Sequence, residues 1–222
     1  PAFFRQMADH SGQGKAALAA LTGASLIGLA PIAIRLSEVG PHATNLWRFL
    51  FALPILAVWA AATRPIPSGR QILWLVAGGL LFGLEISLWA MALNLTTITN
   101  ATLLVNLTPV FAALFGWFWL KERLSTPILV GVAVALIGAV TLALARAQSA
   151  SGPAEAAAHG WIGDSISLLG AIFYAGYLMI VRSIGKHVSV GAVIFWATLA
   201  AAAVSAVLSF ALGESMLPQT WF

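Results

Sequence analysis

Seven long runs of apolar residues, separated by short segments of turn-forming residues, dominate the sequence. An α-helix needs about 20 apolar residues to cross about 30 Å of hydrocarbon. We therefore predict seven membrane-spanning helices, at residues 15–36, 44–62, 70–93, 98–120, 126–146, 161–182 and 188–212. The pattern indicates an all-α polytopic membrane protein.

The composition supports an environment of lipid. Of the 222 residues, 60% are hydrophobic and only 8% are charged, whereas soluble domains contain about 25% charged residues. The eleven Lys and Arg residues are scattered in ones and twos. That distribution is typical of topology signals in a membrane protein, and it does not favour binding to nucleic acid.

The positive residues are distributed unequally between the two sides of the predicted spans. Eight lie on one side (Arg5, Lys15, Arg64, Arg70, Lys121, Arg123, Arg182 and Lys186) and three on the other (Arg35, Arg48 and Arg146). Since the positive side is cytoplasmic, we predict a multi-pass protein of a bacterial inner membrane with a cytoplasmic amino terminus. Arg48, near the far end of its span, is expected to pair with Glu38 or to snorkel to the headgroups.

A shift of 147 residues aligns the sequence with itself, pairing Gly23 with Gly170 and Arg35 with Arg182. The shift covers five predicted helices, an odd number, so the two copies would enter the membrane from opposite sides. This pattern predicts inverted five-helix repeats, as in many secondary transporters.

The repeat divides the chain into three parts. We assign residues 1–146 to the first five-helix repeat, residues 147–160, rich in Ala, Ser, Gly and Pro, to a flexible linker, and residues 161–222 to the start of a second repeat. A complete second repeat would need five helices as well. We therefore expect about three further helices that this sequence does not include.

A family resemblance is carried by the stretch AMALNLTTITNATLLVNLTPVFAALFGWFWLKERLSTPILVGVAVALIG at residues 90–138. The chain resembles the EamA-type branch of the drug/metabolite transporter superfamily. The further marks are a short fourth helix containing Pro109, the Lys121-Glu122-Arg123 turn, and Trp47-Arg48-Phe49 at the start of the second helix. The resemblance covers about residues 15–146 and the opening of the second repeat. It implies ten helices, a central cavity between the repeats, and export of small metabolites such as amino acids, including aromatic ones.

Glu85 is the only carboxylate deep within a predicted span. An acidic group at that depth costs about 2.5–3.5 kcal/mol on insertion scales, so it needs water, a partner or a proton. One interpretation is that it faces a cavity, where it binds an ammonium group or carries a coupling proton. The other is a structural contact between helices. Phe82 and Trp89, at i−3 and i+4, add an aromatic surface that suits an aromatic or cationic substrate.

The fourth span carries a polar stripe, with Thr99, Thr102 and Asn106 on one helical face and Asn100 beside them. Polar groups that face lipid would be unsatisfied, so the stripe is expected to turn inward. Asn100 and Asn106 are candidate substrate-binding residues. Hydrogen bonding between helices is the alternative.

The sixth span places Ser167, Gly170, Tyr174 and Tyr177 on one face. The serine hydroxyl and the two phenol rings are candidates for contact with substrate, and plain helix packing is the alternative. Pro31 and Pro109 interrupt their helices, because proline lacks the amide donor that a helix interior requires. Each is either a gating hinge or a static kink.

The sequence offers no catalytic constellation. It has no cysteine, its four histidines lie outside or at the ends of the apolar runs, and no Gly-Lys-Ser/Thr phosphate loop occurs. We therefore predict a protein that is not an enzyme and that has no cofactor. The leading hypothesis is a secondary transporter working by alternating access, with a small-molecule substrate, the lipid bilayer and a coupling proton as its partners. Alternatives are a non-transporting assembly subunit and a seven-helix receptor.

Overall fold

The computed structural model of the chain describes residues 17–18, 21–25, 27–121, 125–148 and 154–217. The chain divides into two compact units, Pro1–Leu36 and Ser37–Phe222. The first unit contains α1 (Ala30–Leu36). Helical residues at 21–25 and 27–28 precede it, with a turn at Leu29. The helix is therefore interrupted just before Pro31, which is the second residue of α1.

The second unit consists of helices and, within the described residues, contains no strand. Its helices are α2 (Pro41–Ala62), α3 (Gly69–Leu95), α4 (Ile98–Val105), α5 (Thr108–Leu120), α6 (Thr126–Gln148), α7 (Ala154–Ile184) and α8 (Val190–Ala211).

Within the part of the chain that the structure describes, five apolar segments are long enough to cross a membrane: Pro41–Ala62, Gly69–Leu95, Ile98–Phe118, Gly160–Ile184 and Val190–Ala211. They correspond to the second, third, fourth, sixth and seventh predicted spans. Two further apolar helical segments within the described residues, Leu21–Ile32 and Thr126–Thr141, are shorter. The prediction of an all-α polytopic membrane protein is confirmed.

The connection between α6 and α7 is shorter than the sequence suggested. Residues 154–160 were assigned to a linker, but they form the first turns of α7. Alanine is frequent in this segment and has the highest helix propensity of all residues, which accounts for the difference. Residues 149–153 of the predicted linker lie outside the described residues.

Local sequence signals account for the helix starts. Pro41 occupies the first turn of α2, where its missing N–H is not needed. At the start of α3 the Ser68 backbone N–H donates to Gln71 Oε1 at 2.7 Å, half of a capping box. Ser189 caps α8, because its hydroxyl accepts a hydrogen bond from the Ala192 N–H at 3.3 Å.

α3 lies at the centre of this unit and packs against both α7 and α8, while α2 packs against α8. Glycines on α3 permit the close approach of α8. A Cβ atom added at Gly79 would lie 2.7 Å from Ala197 Cα, and one added at Gly83 would lie 2.8 Å from Ala201 Cα. Such small-residue contacts are the usual means by which membrane helices approach closely.

α2 and α8 pack antiparallel and are joined at both ends. At one end the Thr63 hydroxyl donates to Ser189 Oγ at 3.1 Å. At the other end Glu214, just beyond α8, accepts a hydrogen bond from the Ala43 N–H at 2.8 Å. The middle of the two helices, between these contacts, borders the cavity described next.

Candidate functional site

A cavity of about 300 Å³ lies between α2, α3, α7 and α8. It is lined by three residues of α2, one each of α3 and α7, and three of α8: Arg48, Phe49, Ala52, Phe82, Tyr177, Ile194, Ala197 and Thr198. The volume falls at the lower end of the range for ligand pockets, about 300–1,000 Å³. Apolar walls with a few polar groups are typical of such pockets.

Aromatic rings from three helices form one side of the cavity. The Phe82 ring centroid lies 5.2 Å from that of Tyr177 and 6.2 Å from that of Phe49. Tyr174 stacks on Tyr177 with centroids 5.8 Å apart and planes at 13°. These separations are those of favourable aromatic pairs. We call Phe49, Phe82, Tyr174 and Tyr177 the aromatic cluster.

Arg48 is the charged residue of the lining, and Asn45 holds its guanidinium. The Arg48 Nη1 donates to Asn45 Oδ1 at 3.0 Å. The Asn45 Nδ2 in turn donates to the backbone carbonyl of Ile86 on α3 at 3.4 Å. Asn45 is 0% exposed, so the amide that positions the guanidinium is itself fixed between two helices.

Glu85 lies behind the aromatic cluster and is not among the residues that line the cavity. It is 5% exposed and faces α7, where a Cβ added at Gly170 would lie 3.8 Å from Glu85 Cγ. Among the described residues, no hydrogen bond or ion pair reaches its carboxyl group. Trp89, one turn further along α3, is half-buried and also outside the lining.

Three other candidate residues lie away from the cavity. Ser167 is fully buried, and its hydroxyl donates to the Gly163 carbonyl of its own helix at 3.0 Å. Asn100 is buried in the first turn of α4, where its backbone N–H donates to Thr97 Oγ1 at 3.1 Å. Asn106 is exposed at the carboxyl end of α4. Substrate contact by these three residues stays a prediction.

The fourth span consists of two helices that meet next to Asn106. α4 ends at Val105, and α5 begins at Thr108 with Pro109 in its first turn. Asn106 keeps the helical register, because its backbone N–H donates to the Thr102 carbonyl at 3.0 Å, but its side chain is exposed. The inward orientation of the polar stripe stays a prediction. Pro31 lies equally close to the start of α1. Both prolines therefore follow helix breaks, and their role as hinges stays a prediction.

The structure brings together two of the predicted residues, Phe82 and Tyr177, in the cavity wall, with Tyr174 stacked behind them. Sequence reasoning missed Arg48 as part of the site, because its position near a span end favoured snorkelling. The signal that points to it is Asn45, three residues earlier and therefore on the same helical face. An amide beside an arginine within an apolar run indicates an internal polar contact.

A polytopic helical protein with an aromatic cavity between its helices is compatible with a membrane carrier, and comparison with known proteins gives the family. Residues 14–144 match the EamA-like transporter family, and residues 84–219 match Solute carrier family 35. The chain belongs to the EamA-like transporter family, within the drug/metabolite transporter superfamily, so the predicted resemblance is confirmed.

Two relatives illustrate the relationship. The chain is 35% identical over 116 residues to an uncharacterized transporter of Archaeoglobus fulgidus, covering 50% of this chain and 39% of that protein. It is 26% identical over 155 residues to human Solute carrier family 35 member G1, covering 68% of this chain and 42% of that protein. The chain thus spans about two fifths of the length of these curated relatives. No solved structure gives a significant match.

Proposed function

We propose that the protein is a secondary transporter of a bacterial inner membrane that exports small metabolites such as amino acids, aromatic ones among them, by alternating access. The observation that carries the proposal is the cavity between α2, α3, α7 and α8, lined by aromatic rings and one guanidinium. Rings offer flat apolar contact to a substrate side group, and the guanidinium offers hydrogen-bond donors.

The relation between α2 and α8 supports alternating access. Both helices have 22 residues and start 149 positions apart, at Pro41 and Val190, close to the shift of 147 found in the sequence. They pack antiparallel, as a two-fold axis in the membrane plane requires for equivalent helices of an inverted repeat. We expect the contacts at the two ends of α2 and α8 to open alternately while a substrate occupies the cavity between the ends.

The packing of the loops supports the proposed orientation. The Ser189 N–H, before α8, donates to the Pro65 carbonyl, between α2 and α3, at 3.3 Å. These two connections carry Arg64 and Lys186, so positive residues of two separate loops collect at one end of the helices. The positive-inside rule favours a cytoplasmic location for that end of the helices, which is consistent with the proposed orientation.

We further propose that Glu85 exchanges the coupling proton. Its carboxyl group is buried against α7 behind the aromatic cluster and does not line the cavity, which argues against direct contact with a substrate ammonium group. Acidic groups within transmembrane helices commonly serve in proton relays. The contact of α3 with both α7 and α8 would link proton exchange at Glu85 to movement of the cavity walls.

The test is counterflow of labelled amino acids by the full-length protein reconstituted in lipid vesicles, measured at several pH values. We expect the wild-type protein to exchange aromatic amino acids at a rate that depends on pH. The variant Glu85→Gln, which keeps the shape of the side chain but cannot lose a proton, should exchange substrate without that dependence. Glu38→Gln, which changes a carboxylate between α1 and α2, is the matched control.

Each outcome separates the hypotheses. A pH profile of Glu85→Gln identical to that of the wild type would refute the role of this acid while leaving the transporter intact. A well-folded wild-type protein that exchanges no metabolite would favour the assembly subunit instead.

A further inference from the structure

Arg48 places a positive charge within a membrane span, and among the described residues no carboxylate compensates it. It lies seven residues after Pro41, the first residue of α2, and so about 10 Å along the helix. Among the described residues, the one hydrogen bond that its guanidinium makes is to a neutral amide, and no carboxylate forms an ion pair with it. A neutral partner satisfies one donor and leaves the charge in place.

A charge without a counter-ion is costly inside a membrane. Ionisable groups within spans almost always pair, coordinate a ligand or reach a water-filled space. Arg48 lines the cavity, so the space available for a counter-ion is the cavity itself. Among the described residues that line the cavity none is acidic, which favours a substrate that brings the counter-ion itself.

Asn45 prepares Arg48 for this role. The Asn45 side chain accepts from Arg48 with its oxygen and donates to the Ile86 carbonyl of α3 with its nitrogen. Its orientation is thus fixed from both sides, in a position with 0% exposure. Because a guanidinium carries five N–H donors, occupation of one of them leaves a fork that matches the two oxygens of a carboxylate.

We infer that Arg48 is the anion-binding residue of the cavity and that the substrate class is an organic carboxylate with an aromatic or apolar side group. This inference rests on the proposed transport function and makes it more specific. The carboxylate binds Arg48, and the side group lies against Phe82 and Tyr177 on one side and Ile194 and Ala197 on the other. A simple aromatic amine, which lacks the carboxylate, is excluded.

The experiment compares probes that share a phenyl ring and differ in charge. Binding of 3-phenylpropionate, phenylalanine, 3-phenylpropanol and phenethylamine to the purified full-length protein is measured by calorimetry, and each is tested as a competitor in counterflow. For the wild type we expect the two carboxylates to bind at least tenfold more tightly than the alcohol and the amine. This selectivity is measured on the wild-type protein and needs no substitution.

Variants then assign the selectivity to one residue. Arg48→Gln should weaken binding of 3-phenylpropionate at least tenfold and leave phenethylamine unchanged. Arg48→Lys keeps the charge and loses the planar fork. Its affinity for 3-phenylpropionate should lie between those of the wild type and Arg48→Gln. Arg64→Gln removes a positive charge from the connection between α2 and α3 and is the control, expected to bind all four probes as the wild type does.

Two results would overturn the inference. The first is a wild-type protein that binds phenethylamine as tightly as 3-phenylpropionate, and the second is an Arg48→Gln variant that retains full affinity for the acid. In either case, continued flux of any of the probes would leave the proposed transport function standing. Failure of the wild type to bind or move any organic solute would count against the transport function itself.

Discussion

The close contact between α3 and α8 gives a quantitative prediction for Gly79→Ala. The added Cβ would lie 2.7 Å from both the Cα and the carbonyl oxygen of Ala197 and 2.7 Å from Ala200 Cβ. Two of these three atoms belong to the backbone, so no side-chain rotation relieves the clash. Carbon atoms in favourable contact lie about 3.5–4.0 Å apart, and the two helices must therefore separate by roughly 1 Å at this point.

Overpacking of this kind costs about 1–3 kcal/mol. Replacement of glycine by alanine inside a helix also gains about 0.5–1 kcal/mol from reduced backbone freedom, which must be separated from the clash. Gly138→Ala on α6 provides that control, because no heavy atom of the described residues, apart from the adjacent residues and backbone of its own helix, lies within 4 Å of its added Cβ. The difference between the two variants in the free energy of unfolding should therefore be about 1–3 kcal/mol.

The assay is thermal unfolding of the purified variants in the same detergent, followed by intrinsic fluorescence. For a chain of this length about 1 kcal/mol shifts the midpoint by about 2–4 °C, so Gly79→Ala should unfold several degrees below Gly138→Ala. Because Ala197 also lines the cavity, counterflow by Gly79→Ala should fall as well. Equal unfolding midpoints for the two variants would refute the reasoning that this glycine sets the distance between α3 and α8.

Three further predictions concern the site and its surroundings. Tyr177→Ala removes ring contacts worth about 0.5–1.5 kcal/mol each and should raise the KM for aromatic substrates, whereas Tyr177→Phe should not. Equal KM values for Tyr177→Ala and the wild type would contradict an aromatic wall of the cavity. Pro109→Ala should leave the unfolding midpoint nearly unchanged, because a residue in the first helical turn needs no backbone N–H donor, but it should slow counterflow. An unaltered counterflow rate would argue against Pro109 as a hinge. Glu214→Ala removes the acceptor for the Ala43 N–H and should lower the free energy of unfolding by about 1 kcal/mol, which denaturation in mixed micelles can measure.

The span boundaries illustrate what a sequence of this kind predicts well. The predicted span 70–93 corresponds to Gly69–Leu95, and the predicted span 161–182 to Gly160–Ile184. Hydrocarbon thickness fixes the length of an apolar run, and turn residues mark where it stops. Both signals are local, so they can be read without knowledge of any neighbour.

The polar residues of the fourth span show what the local pattern leaves undetermined. Helical spacing puts Thr102 and Asn106 on one face, and the Asn106 N–H does donate to the Thr102 carbonyl, but the Asn106 side chain is exposed at the end of α4. α4 and α5 both pack on α7, and the burial of their polar residues depends on such neighbours, which the local pattern does not specify.

The sequence by itself determined that this chain is a helical membrane protein, because 8% charged residues cannot cover a surface that faces water. It also indicated the transporter family and the aromatic residues Phe82 and Tyr177. Only the tertiary structure decided which of these residues share a cavity, because α3 meets α7 and α8 in registers set by contacts between distant parts of the chain. The orientation of Arg48 depends on the same packing, since Asn45 reaches the Ile86 carbonyl 41 positions further along the sequence.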